Sequence, residues 1–296
     1  MQSTALGPAV DGERLAFPVM AGGPVVNCYA AGSGAPLLLV HSVNAAASAA
    51  EVRPLFEHAR RRRAVFAIDL PGYGHSERPA RAYTPRLMTD ALHAAAAQIR
   101  SRCGPGPVDV VGVSLGCEFV ARAAVEQPAQ WGRLALVSPT GFRGTRVWRQ
   151  ATGSTREVPL LHRVLSAPLW ARGLFDLLTR PGVVRHFLQR TWGGRQIDET
   201  MWAYAVATAA QPGAEHAPLQ FLSGALFSAD IHSVYEAVTQ PVWMSHGVRG
   251  DFTDYRGATL VQGRPNWRFT VFDGGALPYF EQPAKFNAEL DAFLAR

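Results

Sequence analysis

The chain has 296 residues, of which 48% are hydrophobic and 18% charged, enough to bury a large core and too apolar for a disordered tail. Its formal net charge is +6, carried almost wholly by arginine, with Lys285 the only lysine. No aromatic-interleaved basic surface or nucleic-acid motif accompanies that charge, and no apolar run of about 18 residues is present to span a membrane, so neither partner is expected.

In chain order, short apolar runs at 36–41, 64–69, 108–113, 133–138, 241–246 and 267–272 read as strands. Between them, 51–62, 85–102, 115–127 and 283–295 are amphipathic or alanine-rich and read as helices, several with proline at or near an end. The alternation predicts an α/β protein with a mostly parallel sheet covered by helices on both faces. The dense basic run 60–63 falls at the end of the first of these helices, where cations complement the helix dipole and stay solvated.

The rhythm breaks between Phe142 and about Thr239, a stretch rich in Leu, Trp, Phe and Arg with no convincing strand pair. It is expected to be a helical cap inserted into the core. The resulting division is 1–142 for the first part of the core, 143–239 for the cap and the return, and 240–296 for the second part. Trp148, Trp170, Phe175, Trp192, Trp202 and Tyr204 are candidates either to line an apolar pocket under the cap or to staple cap to core.

The chemistry is concentrated in one segment. Val108-Asp109-Val110-Val111-Gly112-Val113 reads as a buried strand, and Gly112-Val113-Ser114-Leu115-Gly116 closes it in a G-x-S-x-G turn that runs straight into a helix. Small residues on either side let the chain turn sharply, so a serine hydroxyl stands at the strand end above a helix N-terminus.

Three further segments in the same order make the chain resemble the α/β-hydrolase superfamily. Leu38-Leu39-Val40-His41-Ser42-Val43 is similar to its strand and His-Gly-x loop. Asp69-Leu70-Pro71-Gly72-Tyr73-Gly74-His75-Ser76 is similar to its D-x-P-G-x-G-x-S loop, and Phe280-Glu281-Gln282-Pro283 to its closing F-E-x-P. The resemblance implies the α/β-hydrolase fold with an inserted helical cap, Ser114 as nucleophile, and the backbone N–H groups of Leu115 and Val43 as oxyanion donors. It implies Asp251 as the catalytic acid, with Asp254 a weaker candidate. The chain departs from the pattern at Ser42, where the family usually has glycine.

A larger departure follows. Aligning Leu277-Pro278-Tyr279-Phe280-Glu281 on the family's closing pattern puts Ala276 at the catalytic histidine, and no histidine follows His246. Alanine can neither accept the serine proton nor return it. His41 and His246, at strand ends, are possible substitute bases, and His162, His186, His216 and His232 lie in or beside the insertion.

Two functional readings remain. One is a serine hydrolase-type enzyme cleaving a carboxylic ester or related small, apolar acyl substrate. For it, the base is relocated or the chain is an inactive form, by a natural or introduced replacement at 276. The other is a non-hydrolytic member of the fold: a ligand-binding protein, or a cyclase, lyase or acyltransferase working by orientation and oxyanion stabilisation. Members that use an aspartate nucleophile are excluded by Ser114.

No cofactor or metal is expected. The glycine-rich loops match no phosphate or dinucleotide pattern. Cys28, Cys103 and Cys117 stand in no metal-ligand spacing and imply free thiols in a reducing compartment. The first residues lack the basic head and apolar core of a signal peptide. A cytoplasmic monomer or homodimer is the expectation.

Overall fold

A computed structural model describes residues 5–295. Its eight strands are β1 (Glu13–Pro18), β2 (Val25–Ala31), β3 (Pro36–Val40), β4 (Ala64–Asp69), β5 (Val108–Val113), β6 (Trp131–Val137), β7 (Val242–Gly247) and β8 (Trp267–Phe272). They form one sheet in the order β1-β2-β4-β3-β5-β6-β7-β8. β1 and β2 pair antiparallel and β2 joins β4 antiparallel; every other pairing is parallel. The six apolar runs thus all become strands, each end within two residues of expectation.

β1 and β2 were not expected. Only Phe17 of β1 is buried, so this edge strand carries no continuous apolar signature. The central β4 and β5 are buried at every position, as a parallel sheet covered on both faces requires.

Two apolar layers enclose the sheet. On one face lie α2 (Pro85–Cys103) and α3 (Gly116–Glu126), whose Leu87, Leu92, Ile99, Phe119 and Val120 pack against Val40, Ile68 and Val110. On the other lie α1 (Arg53–Ala59) and, beyond the short α10 (Pro278–Glu281), α11 (Pro283–Leu294), with Leu55, Phe56, Phe286 and Leu290 against Leu39, Ala67 and Val111. α1 is shorter than the 51–62 expected: Pro54, which has no N–H to give, sits in the first turn, and a 3₁₀ turn at Ala49–Val52 precedes it. The basic run beyond α1 is largely spent on ion pairs: Arg60 with Asp11 and Glu57, Arg62 with Asp291, and Arg63 with Asp109.

Between β6 and β7 come α4 (Pro159–Leu165), α5 (Ala171–Leu178), α6 (Pro181–Trp192), α7 (Glu199–Ala209), α8 (His216–Leu222) and α9 (Ile231–Ala237). α9 returns to pack on α3, where a buried Arg122–Asp230 pair at 2.5 Å joins the two segments. No described helix is long and apolar enough to cross a membrane.

Candidate active site

The G-x-S-x-G segment turns as sharply as its composition suggests. Ser114 adopts φ 52, a left-handed backbone rarely taken by a side-chain-bearing residue. The flanking glycines are required by close approach. A Cβ on Gly116 would lie 2.5 Å from the His41 carbonyl oxygen, and one on Gly112 would lie 3.2 Å from Cα of Cys117. The turn is fixed by the Ser114 N–H donating to Val137 O at 2.8 Å. α3 starts directly behind it, so its positive N-terminal end points toward the serine.

Ser114 lines a cavity of about 390 Å³ that also gathers Val43, Leu115, Asp251 and Ala276. Residues separated by up to 233 positions in the chain therefore line one cavity. Among the described residues the N–H groups of Leu115 and Val43 have no acceptor, which leaves two backbone donors beside the serine.

The loop that carries Val43 is braced by a residue that the sequence did not single out. Glu51 is buried, and its carboxylate accepts from Ser42 N–H and Ser42 Oγ, both at 2.8 Å, and from Asn44 Nδ2 at 2.8 Å. Ser42, the departure from glycine, is thus bound at main chain and side chain to one carboxylate, fixing the residue before Val43. Glu51 sits in an alanine-rich stretch that reads as an ordinary helix start, and only its contacts reveal it.

The other motif segments are structural. Asp69 accepts from Ala49 N–H, His75 N–H and Asn27 Nδ2, and Gly74, at φ 52, wraps so closely that a Cβ would fall 2.0 Å from Asp69 Oδ1. In the closing segment Glu281 accepts from Gly275 N–H at 2.6 Å and pairs with Arg249. The Gly274-Gly275 turn is thereby held between β7 and α6, where a Cβ on Gly275 would meet Trp192 O at 2.5 Å.

That turn delivers Ala276 to the cavity wall. Its N–H donates to Thr191 O at 2.9 Å and its carbonyl accepts from Ser138 Oγ at 2.7 Å, so the main chain is pinned from α6 and from the residue that follows β6. Ser138 itself has φ 48, a second strained serine on the same cavity. Asp251 is bound to Arg190 of α6, Oδ2 to Nε at 2.5 Å, and its N–H donates to Arg190 O. Asp254 pairs with Arg256, which holds its carboxyl well below the usual carboxylate range.

No histidine lines the cavity among the described residues. His41 is fully buried with both ring nitrogens engaged: Nε2 accepts from Leu70 N–H at 3.0 Å, so the proton is on Nδ1, which donates to Ser42 O. His246 bonds Gly247 O through Nδ1 and stacks on Tyr255 at 3.9 Å, and burial lowers its pKa. His232 is engaged through both nitrogens, by Trp148 N–H and Gly141 O. His162 faces Glu157, His216 sits beside Glu215 and His186 packs on Phe187.

The six aromatics between β6 and β7 do not line the cavity; they hold those helices together and to the rest of the molecule. Trp148 packs under Arg146 and Arg156, Trp192 against Phe280, and Phe175 with Ala209 and Ala214. Trp202 donates to Pro181 O, Tyr204 to Gly7 O and Trp170 to Val164 O. The cap's actual contribution is Arg156, Leu188, Thr191, Met201, Phe221 and Phe227. The wall is mostly apolar, with Arg143 and Arg156 as its cations. Arg156 gives Nε to Ser228 O and Nη2 to the buried Glu118, and Arg143, exposed at the cavity, has no partner among the described residues. Burial is the main force raising the Glu118 pKa and lowering that of Arg156. Among the described residues no group of His, Cys, Asp or Glu is arranged to hold a metal ion, and all three cysteines are free thiols.

The fold and this arrangement define an α/β hydrolase. The family description for the alpha/beta hydrolase fold matches residues 35–273, and the chain belongs to that family. Among curated proteins it is 28% identical over 205 residues to 2-hydroxy-6-oxo-2,4-heptadienoate hydrolase of Pseudomonas putida, covering 65% of this chain and 72% of that protein. It is 30% identical over 124 residues to 2-hydroxymuconate semialdehyde hydrolase of a Pseudomonas species, covering 42% of this chain and 43% of that protein. Among solved structures, a serine hydrolase involved in carbazole degradation superposes with a TM-score of 0.73 at 19% identity, over 96% of this chain and 99% of that one.

Proposed function

We propose that the chain is a serine hydrolase-type enzyme acting on a small carboxylic ester or related carbonyl compound with an anionic end. The observation that carries this reading is Ser114, held at φ 52 in a cavity beside the two unspent N–H groups of Leu115 and Val43. Ser114 Oγ attacks the carbonyl carbon while its proton passes to solvent water, and the carbonyl oxygen, taking the π-bond electron pair, is received by the two N–H donors; collapse of the tetrahedral species expels the leaving alcohol, protonated by water, and a second water then releases the acid from Oγ. Donors fixed in this way contribute about 3 kcal/mol or more to stabilising a tetrahedral oxyanion. The anionic end is suggested by Arg143 and Arg156 on the wall, and by the dienoate in the name of one relative.

The proton of Ser114 has no side-chain acceptor at position 276, so acylation of generic esters should be slow. A second reading is favoured by a separate observation: Asp251 is already satisfied by Arg190. In it the cavity binds and orients a carbonyl ligand, and turnover proceeds without a triad or not at all. The test compares hydrolysis of a short-chain p-nitrophenyl ester by the chain and by Ser114→Ala. A slow rate that Ser114→Ala abolishes supports the first reading; equal rates with and without Ser114 favour the second.

A further inference from the structure

The register of the sheet places the nucleophile in a row of three side chains. Val113 of β5 pairs with Val137 of β6, and Val137 with Ser245 of β7, so Ser114, Ser138 and His246 are the next residues along adjacent strands spaced about 4.8 Å apart. Tyr255 covers the far end of that row. Its ring stacks on His246 with centroids 3.9 Å apart and planes at 19°, and the residue lines the cavity together with Ser114 and Ser138. The loop that carries it is fixed on both sides, by Gly144 N–H donating to Asp254 and by Gly257 N–H donating to Phe142 O at 2.8 Å. The Tyr255 hydroxyl pairs with Ser138 Oγ, which has already given its own proton to Ala276 O, so of these two hydroxyls Tyr255 is the donor.

Apart from Ser114, each other hydroxyl on the cavity wall has spent its proton on a carboxylate or carbonyl of the protein: Ser42 on Glu51, Ser138 on Ala276 O, Thr140 on Glu118 and Thr191 on Phe187 O. Arg143 and Arg156 keep their protons at any working pH. Burial pushes the Tyr255 phenol up, so it is protonated at neutral pH. A phenylalanine would stack on His246 equally well; only the hydroxyl needs Ser138. We propose that Tyr255 is a further catalytic residue, the general acid that protonates the leaving-group oxygen, a role that rests on the reading of Ser114 as nucleophile. As the tetrahedral species collapses, the bond from the carbonyl carbon to that oxygen breaks, its electron pair stays on the oxygen, and the phenol proton moves there in place of one from water. The phenolate then takes a proton back from the solvent that received the Ser114 proton in the first step. An acid positioned in this way contributes about 10²–10⁴-fold for a strongly basic leaving group, and nothing for one that departs unaided.

The experiment measures kcat/KM, which reports the steps up to departure of the leaving group, for the full chain, Tyr255→Phe and Ser114→Ala. The substrates are p-nitrophenyl acetate, whose leaving group needs no proton, and ethyl chloroacetate, whose activated carbonyl is readily attacked and whose ethoxide does need one. Tyr255→Phe keeps the ring and its stack on His246, and circular dichroism checks that the fold is kept. The expected result is that Tyr255→Phe lowers the ratio of ethyl chloroacetate to p-nitrophenyl acetate hydrolysis by about a hundredfold. An unchanged ratio overturns the proposal, because a tyrosine that only packs would affect both esters alike. Hydrolysis of p-nitrophenyl acetate that depends on Ser114, with none of ethyl chloroacetate, also overturns it and leaves the hydrolase reading standing. If Ser114→Ala hydrolyses both esters as fast as the unmodified chain, the hydrolase reading fails and the role of Tyr255 fails with it.

Discussion

Placing a histidine at position 276 is the sharpest perturbation the site offers. In a serine triad, loss of the histidine lowers turnover by about a millionfold, about 8 kcal/mol of barrier. Ala276→His has favourable starting conditions: its main chain is already pinned by Thr191 O and Ser138 Oγ, and its side chain faces a cavity of about 390 Å³ rather than packed core. Two costs reduce the gain. Asp251 must leave Arg190, but their side chains are 39% and 51% exposed, and an ion pair that open to water is worth at most about 1 kcal/mol. A misplacement of the imidazole by about 1 Å costs about a hundredfold.

The balance predicts an increase of about 10²–10⁴-fold in kcat/KM for p-nitrophenyl acetate, with Ser114→Ala in the same background removing it. Adding Arg190→Gln, which releases Asp251, should raise the rate by up to about a further fivefold. The new activity should rise with pH through about 6.5, where imidazole loses its proton and becomes a base. A folded Ala276→His variant no faster than the unmodified chain would refute the assignment of this position, because the space and the acid are both present.

Other consequences are open to measurement. Gly116→Ala drives a Cβ to 2.5 Å from His41 O and should lower stability by about 1–3 kcal/mol in urea unfolding, whereas Gly106→Ala, with nothing within 4 Å, should be close to neutral. Glu51→Ala strands the Ser42 N–H and Oγ donors and should cost about 1–3 kcal/mol for each left unsatisfied, and any ester rate should fall further as Val43 loses its fixed position. Arg122→Ala leaves Asp230 buried without its cation and should cost about 3–5 kcal/mol, while Arg122→Met/Asp230→Leu should recover much of that loss. Burial lowers the pKa of His75, His232 and His246, so the unfolded chain takes up their protons first. Their contribution to stability is therefore lost as pH falls through about 6.5, and thermal midpoints should drop from pH 7 to pH 5.5. A midpoint that rises over that range would contradict the buried, neutral state of these rings.

What the sequence made legible follows the range over which each signal acts. The parallel core was visible because strands buried on both faces must be continuous apolar runs, and β4 and β5 are buried at every residue. β1 escaped notice because an edge strand buries one residue of six and needs no such run. The serine turn was visible because its steric requirement is local: Gly112 and Gly116 are dictated by contacts within one strand–turn–helix unit and the adjoining His41. The polar network around the cavity was hidden because its partners are far apart in the chain, Asp251 with Arg190 and Arg156 with Glu118, and no periodicity records such pairs. The cap aromatics misled for a related reason. Large rings bury most area when they brace one element on another, so Trp192 and Phe175 went into packing, and Phe221 and Phe227 were left to face the cavity.

The same distinction bears on Ala276. The glycine turn, Glu281 and the hydrogen bonds to Thr191 and Ser138 that hold position 276 are all main-chain devices, indifferent to the side chain they present. Alanine there leaves the scaffold, the strained Ser114 and the two free N–H groups in place, and Arg190 gives Asp251 a partner. The fold therefore does not require the base. If the cavity were only a remnant, nothing would maintain two serines near φ 50 on its wall, since each such conformation costs about 1–3 kcal/mol. Ser114→Gly and Ser138→Gly separate the cases. Stabilisation by Ser114→Gly together with loss of all ester turnover means that the strain serves the chemistry, whereas stabilisation with no functional loss from either means that the site has ceased to act.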